Sequence, residues 1–178
     1  MNEKIQVSRL NRAASVFTIL VMGILASGCA TTMARDFGRK FEIWNVQVDR
    51  VSSMSRFHTS QYTYVYPQSE KSHVVLVELE VKLTDNKFTK FQTHDIFIAH
   101  KSVRSNPPAV VRIARPLGAW DHAKEEGTLF RPENTEEFQL IFIFPKAIRP
   151  TDIHIPDVGI IPIPVENVKG KAGAAKSK

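Results

Sequence analysis

The chain has one cysteine, Cys29, among 178 residues. That excludes an intrachain disulfide framework and any zinc site built from several thiolates. Glycine is scarce: between Cys29 and the C-terminal tail there are only Gly38, Gly118, Gly127 and Gly159. Such spacing offers no phosphate-cradling loop and no Gly-x-Ser-x-Gly nucleophile elbow. Helical periodicity is also rare. The best short candidate is 117–126, with Gly127 to stop it, and ten prolines spread through the connections disfavour longer helices. With 43% hydrophobic and 24% charged residues, the composition is that of one globular domain with tails, not of a collagenous, disordered or multi-span chain.

A basic face is missing as well. The formal net charge is +6, but its location matters more than its size. Lys4, Arg9 and Arg12 oppose a single Glu3 before residue 29, and Lys169, Lys171, Lys176 and Lys178 oppose a single Glu166 in the tail. What remains between them is nearly neutral, so nucleic acid, which requires clustered cations, is not an expected partner. The tail 166–178 has no apolar period and is expected to be disordered and basic.

The N-terminus is an address. After its cationic start, the run from Ala13 to Ala34 holds no charge, which is the layout of a bacterial export signal. The apolar stretch ends Leu25-Ala26-Ser27-Gly28-Cys29. Ser27, Gly28 and Cys29 resemble the lipobox of bacterial lipoproteins, with Ala26 where leucine is commoner. The resemblance implies cleavage before Cys29 and lipidation there, with a covalent diacylglycerol and an N-acyl chain and no other cofactor. Several acyl chains anchor stably where one does not. By the sorting rule of enterobacterial lipoproteins, Ala30 in the second mature position implies the outer membrane, facing the periplasm.

The mature part reads as strands. In 73–84, Val75, Val77, Leu79, Val81 and Leu83 share one face and Glu78, Glu80 and Lys82 the other. Period two over ten residues marks a half-buried strand. In 136–145, Phe138, Leu140, Phe142 and Phe144 point one way and Ile141 and Ile143 the other, until Pro145 ends pairing. Weaker strands are expected at 40–50, 62–66, 93–100, 110–115 and 151–155. About seven strands with polar turns predict an all-β, antiparallel β-sandwich. The expected organisation is a signal peptide at 1–28, a lipidated N-terminus and tether at 29–40, a sandwich at 41–165 and the tail at 166–178.

The order of these segments resembles the telokin-like, immunoglobulin-fold domains of unknown function found in bacterial surface lipoproteins. It runs from the alternating strand 74–84, through a segment ending Asp95-Ile96-Phe97 and the turn Arg131-Pro132-Glu133-Asn134-Thr135, to an aromatic strand ending Phe144-Pro145. The resemblance implies an immunoglobulin-like fold and a habit of binding proteins or ligands. It carries no catalytic residues, and 101–127 stands outside its pattern as an insertion.

Chemistry-bearing constellations are few. His94 and His100, in one expected strand, would lie about 20 Å apart, too far to share a metal ion. Glu78 and Glu80 are spaced like a carboxylate pair, about 6.8 Å along a strand, but Lys82 beside them reads as a solvated face. Two features suit binding. Tyr62, Tyr64 and Tyr66 fall on one face of a short strand, and tyrosine joins apolar area to a polar tip. Trp120 sits in the Pro/Gly-containing stretch 115–122, where it either fills a partner's pocket or plugs its own core. The segment 159–165 reads as an apolar edge strand or a covered extension. The expected function is a non-catalytic protein-binding or scaffolding module, held to the membrane by Cys29 and docked to another envelope protein. A small-ligand binder for lipid, glycan or metal is the alternative, and an envelope hydrolase with dispersed residues a third.

Overall fold

A computed structural model describes residues 30–60 and 63–165. The expected export signal at 1–28, Cys29, Tyr62 and the tail at 166–178 lie outside the described residues. Fourteen strands follow in order among the described residues: β1 (Thr31–Lys40), β2 (Trp44–Met54), β3 (Phe57–Ser60), β4 (Thr63–Val65), β5 (Ser72–Leu83), β6 (Thr89–Phe91) and β7 (Phe97–His100). After these come β8 (Val103–Arg104), β9 (Val110–Arg115), β10 (Ala119–His122), β11 (Thr128–Phe130), β12 (Thr135–Pro145), β13 (Asp152–Ile155) and β14 (Gly159–Pro162). There is no α-helix among the described residues, and none of their elements is a helix long and apolar enough to cross a membrane.

All pairings are antiparallel, and the chain forms a β-sandwich. One layer is a six-stranded sheet in the order β1-β2-β5-β12-β9-β10. The other combines a four-stranded sheet, β14-β13-β7-β8, with the two-stranded ribbon β11-β6. The period-two pattern decides which side chains meet. Val75, Val77, Leu79, Val81 and Leu83 of β5 and Phe138, Leu140, Phe142 and Phe144 of β12 all enter the shared core. There they meet Phe91, Ile98, Phe130, Ile153, Ile155 and Ile161 from the opposite layer. Each fully buried aliphatic or phenyl group contributes roughly 1.5–3 kcal/mol, whereas an exposed ion pair contributes about 0–1. The core, not the surface charge, therefore sets the fold.

Rings pin the short ribbon to the large sheet. Trp44 of β2 lies 5.0 Å from Phe91 and 5.2 Å from Phe130, both edge-to-face, with Phe138 stacked 6.1 Å from Phe91. Gly127 leads into β11 with φ +89°, and a Cβ there would stand 2.8 Å from the Phe91 carbonyl oxygen, so both conformation and space require glycine. In β2 the register shifts between Val48 and Arg50, which bulges the strand at Asp49.

A second apolar layer lies on the outer face of the six-stranded sheet. Val74, Leu76 and Ile141 are buried there beneath Phe57 and Val65 of the β3–β4 hairpin. Two arginines close one long side of the sandwich, where β1 and β14 are the edges of their sheets. Arg39 donates to the Ile160 carbonyl at 3.2 Å, and Arg149 donates to the carbonyls of Met33 and Pro164.

Several sequence expectations are revised. Residues Thr31–Lys40, assigned to a tether, form β1 and pair with β2 along its length. The stretch 117–126 is not helical: a 3₁₀ turn at Pro116–Gly118 leads directly into β10. The supposed insertion 101–127 supplies β9, which pairs with β12 inside the large sheet. The strand expected at 93–100 is confined to Phe97–His100, because 93–96 turn, with the Ile96 amide bonded to the Thr93 carbonyl. The two principal sheets hold more strands than the seven expected, because segments of two to four residues are too short to display alternation.

Candidate functional site

The sequence-derived site residues divide between two places and the undescribed segments. Cys29 and Tyr62 lie outside the described residues. Tyr64 is in β4, on the side of the hairpin turned away from the sheet. It is 41% exposed, stacked at 4.6 Å on His58, with the Arg56 guanidinium 5.4 Å from its ring. Tyr66, just beyond β4, is 67% exposed. Val65 between them packs downward onto the outer-face apolar layer. The alternation that buries Phe57 and Val65 thus turns Tyr64 outward.

Trp120 belongs to the same outer face but not to the core. It is half-buried in β10, with the Arg112 guanidinium 5.7 Å from its ring centroid. The same guanidinium lies 5.9 Å from the Phe57 ring, so Arg112 joins the tryptophan to the hairpin. Arg112 ends a polar row set by strand register, in which Arg50 faces Glu78, Glu78 faces Gln139, and Gln139 faces Arg112. Arg50 donates to Glu78 at 2.6 Å, Gln139 donates to the other oxygen of Glu78 at 3.0 Å, and Arg112 donates to Gln139 at 3.2 Å. Hydrogen bonding to Glu78 pushes the Arg50 guanidinium up, and burial pushes that of Arg112 down. Glu78, paired with Glu80 in the sequence as a carboxylate candidate, is committed to this row.

Neighbouring acids repel one another. Glu80 and Glu137 are register partners, and the bulged Asp49 lies close by. Desolvation of the carboxylate, then Glu80, Glu137, Glu78 and Asp36, hold the Asp49 carboxyl above its usual range. Among the described residues no group of three or more His, Cys, Asp or Glu is arranged to hold a metal ion.

A groove of about 650 Å³ opens at the end of the sandwich where β1 begins. Thr31, Tyr66, Ser72, His73 and Lys146 line it. Ser53 and His73 meet there, with Ser53 Oγ 2.8 Å from His73 Nδ1. The His73 Nε2 atom is buried and has no partner among the described residues. Burial, then Lys146, pull the imidazole below its usual range, which keeps it neutral near pH 7. Among the described residues no carboxylate reaches Nε2 to complete a Ser-His-acid arrangement with this pair. Spacing could not reveal this pair, because antiparallel pairing through the β2–β5 register brings together residues twenty apart.

At the opposite end, Phe88 and Leu129 are 64% and 60% exposed. They stand on the outward side of the β6–β11 ribbon, whose inward side carries Phe91 and Phe130. Neither was singled out by the sequence, since single apolar residues beside turns carry no period.

No protein-family profile and no curated protein matches the chain. Solved structures of similar shape exist at low identity. A functionally unknown protein from Listeria monocytogenes EGD-e is 15% identical, with a TM-score of 0.49 over 82% of this chain and 96% of that one. A conserved hypothetical protein from Bacillus anthracis is 11% identical, with a TM-score of 0.44 over 74% and 96%. An uncharacterized β-sandwich protein from Clostridium difficile 630 is 10% identical, with a TM-score of 0.42 over 68% and 82%.

Proposed function

We propose that this chain is an outer-membrane-anchored lipoprotein whose sandwich serves as a non-catalytic protein-binding or scaffolding module in the bacterial cell envelope. The observation that carries the binding role is the β3–β4 hairpin, which turns Tyr64 and Tyr66 into solvent while Phe57 and Val65 hold it to the sheet. Tyrosine, tryptophan and arginine are the residues most often found at binding hot spots. Tyr64 has Arg56 beside it, and Trp120 has Arg112. The anchor rests on the lipobox-like Ser27-Gly28-Cys29. The immunoglobulin-like, telokin-like character belongs to the same proposal, supported by two packed antiparallel layers and the Pro132-containing turn ahead of β12.

The test is affinity isolation from solubilised envelopes with the full chain and with a Tyr64→Ala/Tyr66→Ala variant. The expected result is one stoichiometric partner that the variant loses while its melting temperature is unchanged. Equal recovery by the variant, or no partner at all, overturns the binding role. Mass spectrometry of the mature N-terminus tests the anchor separately, since a chain beginning upstream of an unmodified Cys29 removes it. A second reading, a small-ligand binder, is favoured by the groove around His73.

A further inference from the structure

The groove at the β1 end combines an unpartnered imidazole nitrogen, a cation and hydroxyls. His73 is 8% exposed, and its Nε2 finds no partner among the described residues. A buried nitrogen left unpaired costs roughly 1–3 kcal/mol, a cost that a ligand would relieve. Its polarity is set by the ring tautomer. When the Ser53 hydroxyl donates to Nδ1, Nε2 carries the ring proton and is a donor. Lys146 also lines the groove, close enough to disfavour a charged imidazole. The hydroxyls of Ser55, Ser72 and Tyr66 add donors that rotate to suit, against one carboxylate, Glu70. A metal cation is disfavoured, because Lys146 repels it and the described residues offer no set of three ligands. An apolar ligand would leave Nε2 unsatisfied. What suits this wall is an anion with several acceptor oxygens.

We propose that the groove beside Ser53, His73 and Lys146 is a phosphate-binding site, which takes the phosphate of a lipid headgroup or of a soluble phosphoester. Its volume of about 650 Å³ exceeds the needs of phosphate alone and leaves room for the glycerol or alcohol that carries it. Its location favours the headgroup. Thr31 lines the groove, and the two residues back to Cys29 span at most about 7 Å. The lipid source therefore rests on the acyl anchor of the proposed function, while the phosphate chemistry does not.

The experiment uses the full chain, isotopically labelled and held in a maltoside detergent free of phosphate. It is titrated with inorganic phosphate and, separately, with phosphatidylglycerol bicelles, with galactolipid bicelles and matched chloride as controls. The expected result is a set of saturable NMR shifts centred on Ser53, Ser72, His73 and Lys146, including the His73 Nε2 resonance. Lys146→Ala, an exposed change that leaves the fold intact, should weaken binding roughly tenfold or more, and His73→Leu should do the same. Saturation by inorganic phosphate alone assigns a soluble phosphoester, and saturation by phosphatidylglycerol but not galactolipid assigns the headgroup. The proposal is overturned if neither titrant moves these residues, if chloride reproduces the shifts, or if Lys146→Ala binds as the parent does. A chain without an acyl group that still binds phosphate keeps the site and loses the anchor, and an acylated chain that ignores phosphate does the reverse.

Discussion

Asp49 shows how one bulge creates a sensitive carboxylate. The extra residue leaves it on the exposed face of the strand, where desolvation and then the neighbouring Glu80, Glu137, Glu78 and Asp36 hold its pKa above the ordinary 3.8. Folding therefore favours the protonated form, and Asp49 works against stability increasingly as pH rises through the region above 3.8. Asp49→Asn should raise the melting temperature at pH 7, and the two proteins should converge at pH 3. Thermal melts across that range check the sign, and added salt should shrink the difference. Gly127 makes a conformational demand instead. With φ at +89° and the Phe91 carbonyl close by, Gly127→Ala should cost about 1–3 kcal/mol, read from urea unfolding. Neither residue announces itself in the sequence. An aspartate in a strand and a glycine before one are common, and only the register with partners far along the chain gives them their meaning.

At the scale of elements, the long strands were legible and the short ones were not. β5 and β12 carry enough alternating residues for the inward face to be read directly, and every inward residue read there is buried. The apolar Ile141 and Ile143 on the other face of β12 were a further signal, because an uncovered outer face would be polar. Their cover is the β3–β4 hairpin, whose strands of four and three residues are too short to show a period. Phe57 holds that hairpin together with Val65, touching the outer-face apolar layer and standing 5.9 Å from Arg112. Phe57→Ala should cost about 2 kcal/mol, less than the loss of a fully buried phenyl group. It should also release the hairpin, with faster amide exchange in β3 and β4 than in β5. Unchanged exchange there would show that the hairpin is held by other contacts. Of the candidate binding residues, Tyr64 and Tyr66 do stand in solvent, whereas Trp120 is neither a core plug nor a free loop tip. Its position depends on β10 continuing a sheet that the Pro/Gly-containing stretch 115–122 gave no reason to expect.

For the molecule as a whole, the two layers are joined by the core and fastened along one side by Arg39 and Arg149. Arg149 reaches two carbonyls far apart in sequence, at Met33 and Pro164, and so couples the first strand to the segment after the last. Hydrogen bonds from a charged donor are worth roughly 1.5–3 kcal/mol. Arg149→Ala should accordingly raise hydrogen exchange in β1 and at 163–165 while β5 and β12 stay protected. A uniform rise across all strands would instead mean that the arginine supports the global fold. This side of the sandwich was invisible in the sequence, where 29–40 resembled a linker, because an edge strand with mixed polarity lacks the alternation that burial imposes.

The placement of β1 has a mechanical consequence. It begins at Thr31, two residues after the proposed anchoring Cys29, and runs antiparallel to β2 along its full length. A pull on the N-terminus directed along the strand axis would load the β1–β2 hydrogen bonds simultaneously, in shear, instead of unzipping them one after another. If Cys29 is anchored as proposed, a sandwich fastened this way would resist tension between membrane and partner until many bonds failed together.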